Sequence, residues 1–168
     1  MKWFIKCLKQ YADFKGRARR KEYWWFVVFQ FIFTLILLIP FLVQVFSLEP
    51  GLSEYEAILR MYQSPFLWLY VIFYVAMFLP GLAVCVRRLH DIGRSGWWVL
   101  FLYSGSILNM ICRMIMETYF LASLMISLLA IAIGVIGLVW TFTDSQPGEN
   151  QWGPNPKEPQ SQITENQQ

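Results

Sequence analysis

Charged side chains are scarce in this chain of 168 residues. They make up 15 % of it, whereas about a quarter is typical of soluble globular domains. Hydrophobic residues make up 57 % and aromatic residues 18 %, and they are gathered into long runs. Roughly 20 consecutive apolar residues cross the hydrocarbon core of a bilayer, and several runs approach that length. The composition therefore excludes an ordinary soluble domain and favours an integral membrane protein.

Residues that bind metals or carry out catalysis are also few. His90 is the only histidine, and Cys7, Cys85 and Cys112 are far apart and form no C-x-x-C pair. These residues do not predict a zinc site, so the cysteines are interpreted as small apolar side chains or free thiols. The sequence also lacks a nucleophile elbow and a phosphate-binding loop. We therefore expect no metal, no cofactor and no catalytic residue.

Basic residues are concentrated near the start of the chain. Eight of the 14 lysines and arginines lie before residue 22, directly ahead of an apolar run. Such a concentration is typical of binding either to nucleic acid or to the anionic inner leaflet of a membrane, and its place before a span favours lipid. We therefore expect membrane lipids, anionic lipids among them, as partners and no nucleic-acid partner.

Residues 2–12 predict a short amphipathic helix. Lys2, Lys6 and Lys9 recur at spacings of four and three residues, and aromatic and apolar residues occupy the other side. This pattern indicates a helix lying in the membrane interface or, with similar weight, a cap packed on cytoplasmic loops. A signal peptide is excluded because the apolar run that follows is too long and ends in no small-residue cleavage site.

Four apolar runs then predict four transmembrane helices, so the predicted fold class is an all-α integral membrane protein. The polar stretch between the first two runs contains Ser53-Glu54-Tyr55-Glu56, which resembles a capping box and predicts a short surface helix over about residues 53–63. The four predicted transmembrane helices lie at about residues 24–46, 65–86, 97–116 and 119–142.

After residue 142 the composition changes to proline, glycine, glutamine and asparagine, with little left to bury. We expect an irregular C-terminal tail on a single membrane domain over residues 1–157, and a disordered tail over residues 158–168. The segment before the first span and the loop at residues 87–95 are basic, whereas the loop at residues 47–64 is acidic. The positive-inside rule therefore predicts that both termini are cytoplasmic.

The last predicted helix carries small residues in a regular register. Their spacings alternate between four and three residues, which puts them along one face of the helix. Small residues let helix backbones approach closely in lipid, so this face predicts packing against another helix, either in the same chain or in a second copy. A homo-oligomer is therefore one expectation. The six residues of this small-residue seam are Ser123, Ser127, Ala130, Gly134, Gly137 and Thr141.

Residues 87–98 gather the only histidine, three arginines, an aspartate and two glycines. If the second helix continues past the bilayer, Asp91 can pair with Arg87 or Arg88. One hypothesis is a site for a lipid phosphate or head group, which the planar fork of arginine suits, and the other is a loop that only sets topology. The residues assigned to lipid or partner binding are Arg17, Arg19, Arg20, Arg87, Arg88, His90, Asp91 and Arg94, of which Arg87, His90, Asp91 and Arg94 would share one helix face.

Two less favoured hypotheses follow from the polar residues. A lipid-modifying enzyme would use His90 as acid or base and Asp91 to orient it, but adjacent side chains on a helix diverge by about 100°. A subunit of an oligomeric small-solute transporter is the other alternative. No Asp, Glu, Lys or His lies within a predicted span, so Gln30, Asn109 and two proline breaks are its only candidates.

Three blocks of the sequence carry a family resemblance: GRARRKEYW at residues 16–24, RRLHDIGRSGWW at residues 87–98 and PGENQWGPNP at residues 147–156. They resemble the signatures of the YhaH/YhaI-like family of small bacterial inner-membrane proteins, whose domain is of unknown function (domain of unknown function 805). The resemblance covers about residues 1–157 and implies a bacterial inner-membrane protein without an established activity. Shorter members have one apolar stretch between the second and third blocks, where this chain has enough for two helices.

Together these patterns predict a non-catalytic interaction or regulatory module at the inner membrane. Its basic cytoplasmic face would bind anionic lipid or a membrane or cytoplasmic protein. The acidic part of the tail, through Asp144 and Glu149, is expected to fold back on that face, with Trp152 as an anchor in the membrane interface.

Overall fold

The structure, a computed structural model, describes residues 2–47, 53–115 and 119–157. These residues form six α-helices, and within them the only β-type pairing is an isolated bridge between Asn150 and Gly153. The expectation of an all-helical protein is therefore confirmed. The helices are α1 (Lys2–Lys9), α2 (Arg20–Phe46), α3 (Glu54–Tyr62), α4 (Pro65–Asp91), α5 (Trp98–Ile115) and α6 (Phe120–Phe142).

The ends of several helices differ from the predicted positions. α2 begins at Arg20 and α4 ends at Asp91, so both helices are longer than the apolar runs that predicted them. Most of the added residues are polar or charged, and a search for apolar runs leaves such residues out. α1 ends at Lys9 and is shorter than predicted. The disordered tail predicted for residues 158–168 lies outside the described residues.

The short helix α3 begins as the sequence predicted. The Ser53 hydroxyl accepts a hydrogen bond from the backbone N–H of Glu56 at 3.3 Å, and the Glu56 carboxylate accepts one from the backbone N–H of Ser53 at 3.0 Å. This reciprocal pair is a capping box, which satisfies two backbone donors that would otherwise lack partners at a helix start.

Three of the helices are long and apolar enough to cross a membrane. They are α2, α4 and α6, and each has at least 23 residues, which corresponds to roughly 35 Å or more of helix against a hydrocarbon core of about 30 Å. α5 is also apolar, but it is shorter, and its length keeps it out of this group. The expectation of apolar helices long enough to span a membrane is therefore confirmed for these three.

The described residues divide into two compact units, each of which has its own packing. The first unit consists of residues 2–12 and 24–81. In it, the Phe4 ring of α1 packs against three phenylalanine rings of α2, with centroid separations of 5.2 to 6.2 Å, and Cys7 is fully buried. The polar Gln44 of α2 accepts a hydrogen bond from the Ser64 hydroxyl at 2.6 Å, so this amide faces protein. The three phenylalanines of α2 are Phe26, Phe29 and Phe33.

Pro80 lies inside α4 and has no backbone N–H. The carbonyl of Ala76, four residues earlier, therefore has no partner within the helix. The Tyr11 hydroxyl donates a hydrogen bond to this carbonyl. A proline within an apolar helix is tolerated when another group satisfies the freed carbonyl, and Tyr11 fills that role in the first unit.

The second unit consists of residues 13–23 and 82 onward, and in it α5 and α6 pack side by side. The Trp98 and Trp140 rings meet edge to face at 5.4 Å, near the start of α5 and the end of α6. At the opposite end, the Cys112 thiol contacts the Ser127 hydroxyl at 3.0 Å. Contacts at both ends in this order mean that α5 and α6 run antiparallel along their whole length.

The small-residue seam of α6 contributes to this packing unequally. Ser123, Ala130 and Thr141 are buried, whereas Ser127 and Gly137 are half-buried. A Cβ added at Gly137 would lie 3.0 Å from a Leu102 methyl group, so the absence of a side chain there permits the close approach of α5. Gly134 is exposed and has no neighbour within 4 Å of an added Cβ, so it lies outside this contact.

We predict that Tyr11→Phe destabilises the protein by about 1 kcal/mol, because it leaves the Ala76 carbonyl without a donor. The free energy of unfolding can be measured by circular dichroism in mild detergent. Tyr55→Phe is the matched control, since Tyr55 is exposed on α3 and its hydroxyl bonds to no described residue.

A double-mutant cycle with Pro80→Ala tests the cause. Alanine supplies an N–H to the Ala76 carbonyl, so Tyr11→Phe should cost much less in the Pro80→Ala background. An equal cost in both backgrounds would show that Tyr11 stabilises the protein by another route.

Candidate functional site: a buried arginine cluster

Five charged residues form a buried cluster in the second unit, where three segments of the chain meet. The segments are residues 13–23, the end of α4 with the turn after it, and residues 143–157, hereafter the C-terminal segment. Each of the five side chains is at most 7 % exposed, so none of them faces solvent freely. The members of this arginine cluster are Arg17, Glu22, Arg87, Arg88 and Asp91.

The turn after α4 fixes the direction in which the chain leaves the cluster. The N–H of Arg94 bonds to the carbonyl of Leu89 at 2.9 Å, and the N–H of Gly93 bonds to the carbonyl of His90 at 3.1 Å. This pair of bonds is a Schellman motif, and Gly93 takes the left-handed conformation it requires, with φ of +77°. A Cβ at Gly93 would also lie 2.6 Å from the end of the Gln146 side chain, which would have to move, so the backbone conformation is the main reason for glycine at this position.

Asp91 is the centre of the arginine cluster. Its carboxylate accepts hydrogen bonds from Arg17 Nε at 3.1 Å, from the Arg88 guanidinium and from the Ser145 hydroxyl at 2.6 Å. The side chain is fully buried, so these bonds replace the water that the charge has lost. The carboxylate thus joins all three segments.

Arg87 points to a different acidic partner. Its guanidinium lies 3.6 Å from the Glu22 carboxylate and donates to the backbone carbonyl of Asp13 at 2.8 Å. The backbone carbonyl of Arg87 in turn accepts from the N–H of Ala18 at 3.0 Å. Residues 13–23 are therefore fixed to the end of α4 by both side-chain and backbone bonds.

The C-terminal segment wraps around Arg17. The Arg17 guanidinium donates to the carbonyls of Gln146, Gly148 and Gly153, the last two at 2.7 and 3.2 Å. In addition, the N–H of Gln146 bonds to the carbonyl of Asp91 at 2.8 Å. A segment that the sequence predicted to be irregular is thus fixed to the cluster by three bonds to one buried guanidinium and by a backbone bond to Asp91.

Two arginines also donate hydrogen bonds to the backbone carbonyls at the end of α6. Arg88 donates to the carbonyls of Thr141, at 3.3 Å, and Thr143, while Arg20 donates to the carbonyl of Phe142 at 3.2 Å. The last carbonyls of a helix lack partners and carry the negative end of the helix dipole. Cations at this position therefore stabilise α6 and bind it to the arginine cluster.

His90 lies at the edge of the cluster and is engaged on several sides. Its Nδ1 is 3.2 Å from the carbonyl of Gly16, and its ring stacks on Trp152 with a centroid separation of 4.6 Å and an interplanar angle of 9°. The Asn150 amide donates to the backbone carbonyl of His90 at 3.0 Å. Trp152 therefore packs on His90, where the sequence had suggested an anchor in the membrane interface.

The predicted shared helix face does not include Arg94. α4 ends at Asp91, so Arg94 lies beyond the glycine turn and leaves the helical register. Its guanidinium lies over the Trp140 ring at 4.1 Å and over the Trp98 ring at 5.7 Å, which are cation–π distances. The sequence offered Arg87 or Arg88 as the partner of Asp91. Arg88 forms this ion pair, and Arg17 is a second partner.

A rim of exposed charges surrounds the buried cluster. Arg20 pairs with Asp144 at 2.9 Å, and Lys157 donates to the same carboxylate. The hydrogen bond from Lys157, together with one from the Ser145 N–H, holds the pKa of Asp144 below its usual value. Lys15 and Lys21 are exposed, so the charges of residues 13–23 alternate between the rim and the interior.

The eight residues predicted to bind lipid or a partner thus fall into two groups. Five are buried and so form no part of an accessible surface in this structure, whereas Arg19, Arg20 and Arg94 are only half-buried. Arg19 donates to the carbonyl of Pro156. Lipid binding itself stays a prediction. The five buried residues are Arg17, Arg87, Arg88, His90 and Asp91.

The sequence interpretation missed several members of the site. Glu22 is a single acid within a basic run, and that contrast could have indicated a buried ion pair. Ser145, Gln146 and Asn150 gave no such signal, because polar residues in an irregular segment are usually solvated. Among the described residues no group of three or more His, Cys, Asp or Glu side chains could hold a metal ion.

The geometry brings the three sequence blocks of residues 16–24, 87–98 and 147–156 into one site. The model of one protein family, described as "Protein of unknown function (DUF805)", matches residues 11–154, which include the first two blocks and residues 147–154 of the third. The chain belongs to the DUF805 family. The resemblance expected from the three blocks is therefore confirmed.

Two relatives of the chain come from Escherichia coli K12. The chain is 35 % identical to inner membrane protein YhaH over 157 residues, which cover 94 % of this chain and 98 % of that protein. It is 39 % identical to inner membrane protein YhaI over 104 residues, which cover 61 % and 72 %. No solved structure matches the chain. These names and the apolar helices agree with the expectation of a multi-pass inner-membrane protein.

We predict that Asp91→Asn destabilises this DUF805 protein by about 3–5 kcal/mol. The substitution leaves Arg17 and Arg88 buried without a countercharge, and removing one partner of a buried ion pair has an effect of this size. Thermal unfolding in detergent measures the loss, and faster cleavage of the C-terminal segment by proteinase K reports its release.

Asp144→Asn is the matched control for this substitution. It removes the same charge from an exposed carboxylate that also contacts an arginine, so we expect little change in unfolding temperature. Equal effects of the two substitutions would contradict the central position of Asp91.

Proposed function

We propose that the protein crosses the inner membrane four times and keeps both termini in the cytoplasm. The antiparallel packing of α5 along α6 supports a fourth crossing by α5, since α6 is itself long enough to cross. Residues 13–23, the end of α4 and the C-terminal segment contact one another, so they share one side of the membrane. Their basic residues assign that side to the cytoplasm by the positive-inside rule.

The protein acts without catalysis under this proposal. Both oxygens of the Asp91 carboxylate bond to Arg17, Arg88 and Ser145, and none of these bonds orients His90. One ring face of His90 is covered by Trp152, and its Nδ1 edge lies 3.2 Å from the carbonyl of Gly16. A histidine that acts as acid or base needs an accessible edge within hydrogen-bond reach of a substrate, and these contacts weigh against one.

The working surface in this proposal is the exposed rim of residues 13–23, which binds anionic phospholipid head groups. One observation carries it: buried ion pairs fix this segment, which includes the start of α2, to the end of α4, while Lys15 and Lys21 are exposed. Basic side chains held next to a span attract the anionic inner leaflet, at about 1 kcal/mol for each. Arg19 and Arg20 add charge to the same rim.

We expect α1 to lie on the cytoplasmic side of the membrane as well. Lys2 and Lys9 are exposed, whereas Phe4 and Cys7 pack inward, so the helix has one basic and one apolar face. A short helix of this kind lies in the interface plane and adds positive charge close to the lipid head groups.

The topology predicts the behaviour of reporter fusions. A cytoplasmic reporter such as green fluorescent protein should be active at residue 168, and a periplasmic reporter such as alkaline phosphatase should be inactive there. When fused to the loop before α3, alkaline phosphatase should be active and green fluorescent protein should be inactive. Alkaline phosphatase activity at residue 168 would refute the proposed orientation.

The lipid proposal predicts a loss of affinity when one rim lysine is neutralised. Lys21→Gln and Lys15→Gln should each weaken binding of short-chain phosphatidylglycerol about fivefold, since each lysine contributes about 1 kcal/mol. Affinity can be measured from the rise in unfolding temperature as the lipid is added to purified protein in neutral detergent.

Arg60→Gln is the matched control, because Arg60 is an exposed cation on α3, at the other end of the spans. It should leave phosphatidylglycerol affinity unchanged. Phosphatidylcholine should bind all variants equally. If Lys21→Gln leaves phosphatidylglycerol affinity intact but releases a co-purifying protein, the rim binds a protein partner and the lipid proposal is wrong.

A further inference from the structure

α5 carries three polar residues on a surface that the described chain leaves uncovered. Ser106, Asn109 and Arg113 are all exposed, and their spacings of three and four residues align them on one helix face. None of the three side chains forms a hydrogen bond or ion pair with another described residue. These residues are the polar stripe of α5.

The stripe lies deep along the helix. Asn109 is eleven residues after the start of α5 at Trp98, which corresponds to about 16 Å along the helix axis. If α5 crosses the membrane as proposed above, this amide lies in the hydrocarbon core. A polar group without a partner there costs several kcal/mol, so lipid is a poor neighbour for it.

We propose that the polar stripe of α5 is the contact between two copies of this chain in the membrane. An asparagine amide both donates and accepts, so two Asn109 side chains related by a two-fold axis along the membrane normal satisfy each other. Ser106, one turn away, is small and permits close approach of the two helices. Arg113 lies in the last turn of α5, from which its long side chain reaches the membrane surface and separates from its copy.

Among the described residues of the second unit, the polar stripe has no partner. The side of α5 toward α6 is already occupied by contacts at Trp98, Gly105 and Cys112. Self-complementarity favours a second copy, since the Asn109 amide carries both a donor and an acceptor and can pair with the same amide of that copy without a further protein.

The first experiment measures dimer formation by Förster transfer between labelled copies in liposomes at increasing lipid dilution. Asn109→Leu should weaken association about three- to thirtyfold, the range expected when hydrogen bonds between membrane helices are lost. Asn109→Gln should keep most of the association because it preserves the amide. Ile107→Ala, on a different exposed face of α5, is the control and should have no effect.

The second experiment tests the face directly by cysteine cross-linking in a background in which Cys7, Cys85 and Cys112 are replaced by alanine. Ser106→Cys should form a disulfide between copies on oxidation, because a symmetric contact brings the two Cα atoms within about 7 Å. Ile107→Cys should not. A wild-type protein that stays monomeric, or equal cross-linking at both positions, would overturn the proposal.

The inference rests on the proposed four-span arrangement, and labelling separates the two failures. If Ser106→Cys reacts with a membrane-impermeant maleimide in vesicles opened to both sides, α5 is outside the membrane and the four-span proposal fails. If it is protected but gives no cross-link, α5 is inserted and only the dimer proposal fails. If the monomer transports a solute across vesicle membranes and Asn109→Leu abolishes this transport, the stripe lines a transport pathway. The dimer proposal is then wrong as well.

Discussion

The carboxylate of Asp91 is the interaction on which the second unit depends. It binds Arg17, which is 74 residues away in the chain, and Arg88, which is three residues away on α4. Both guanidinium groups are buried, and the desolvation of each costs several kcal/mol, which the Asp91 carboxylate offsets. The position of Asp91 at the last residue of α4 therefore determines where residues 13–23 and the C-terminal segment lie.

The Asp91 carboxylate offers too few hydrogen-bond acceptors for two buried guanidinium groups. The C-terminal segment supplies some of the acceptors that are missing. Each guanidinium has five N–H donors, more than the Asp91 oxygens can accept. Arg17 uses the carbonyls of Gln146, Gly148 and Gly153, and Arg88 uses the last carbonyls of α6. A segment with turns presents its carbonyls inward more readily than a helix, in which they are already bonded. The proline- and glycine-rich block is thus part of the fold and serves as an acceptor for buried charge.

The sequence predicted the local features well and the long-range ones poorly, for a physical reason. Apolar runs and the Ser53 capping box are local, so helix positions followed from neighbouring residues. The pairing of Arg17 with Asp91 is not local, and a count of basic residues treats a buried arginine and an exposed lysine alike. Whether Arg87 or Arg88 meets Asp91 depends on the phase of α4, and adjacent side chains differ by about 100°.

The choice between arginine and lysine follows the division between interior and rim. The buried cations of the cluster are all arginines, whereas Lys15 and Lys21, in the same segment as Arg17, are exposed. A guanidinium is more weakly hydrated than an ammonium and spreads five donors over a rigid plane, so it can be buried among several carbonyls at once. A lysine at the position of Arg17 would keep the charge that sets topology but could not reach a carboxylate and three carbonyls together. The basic residues of this protein therefore serve two separable purposes, because topology requires only their charge whereas the cluster requires their shape.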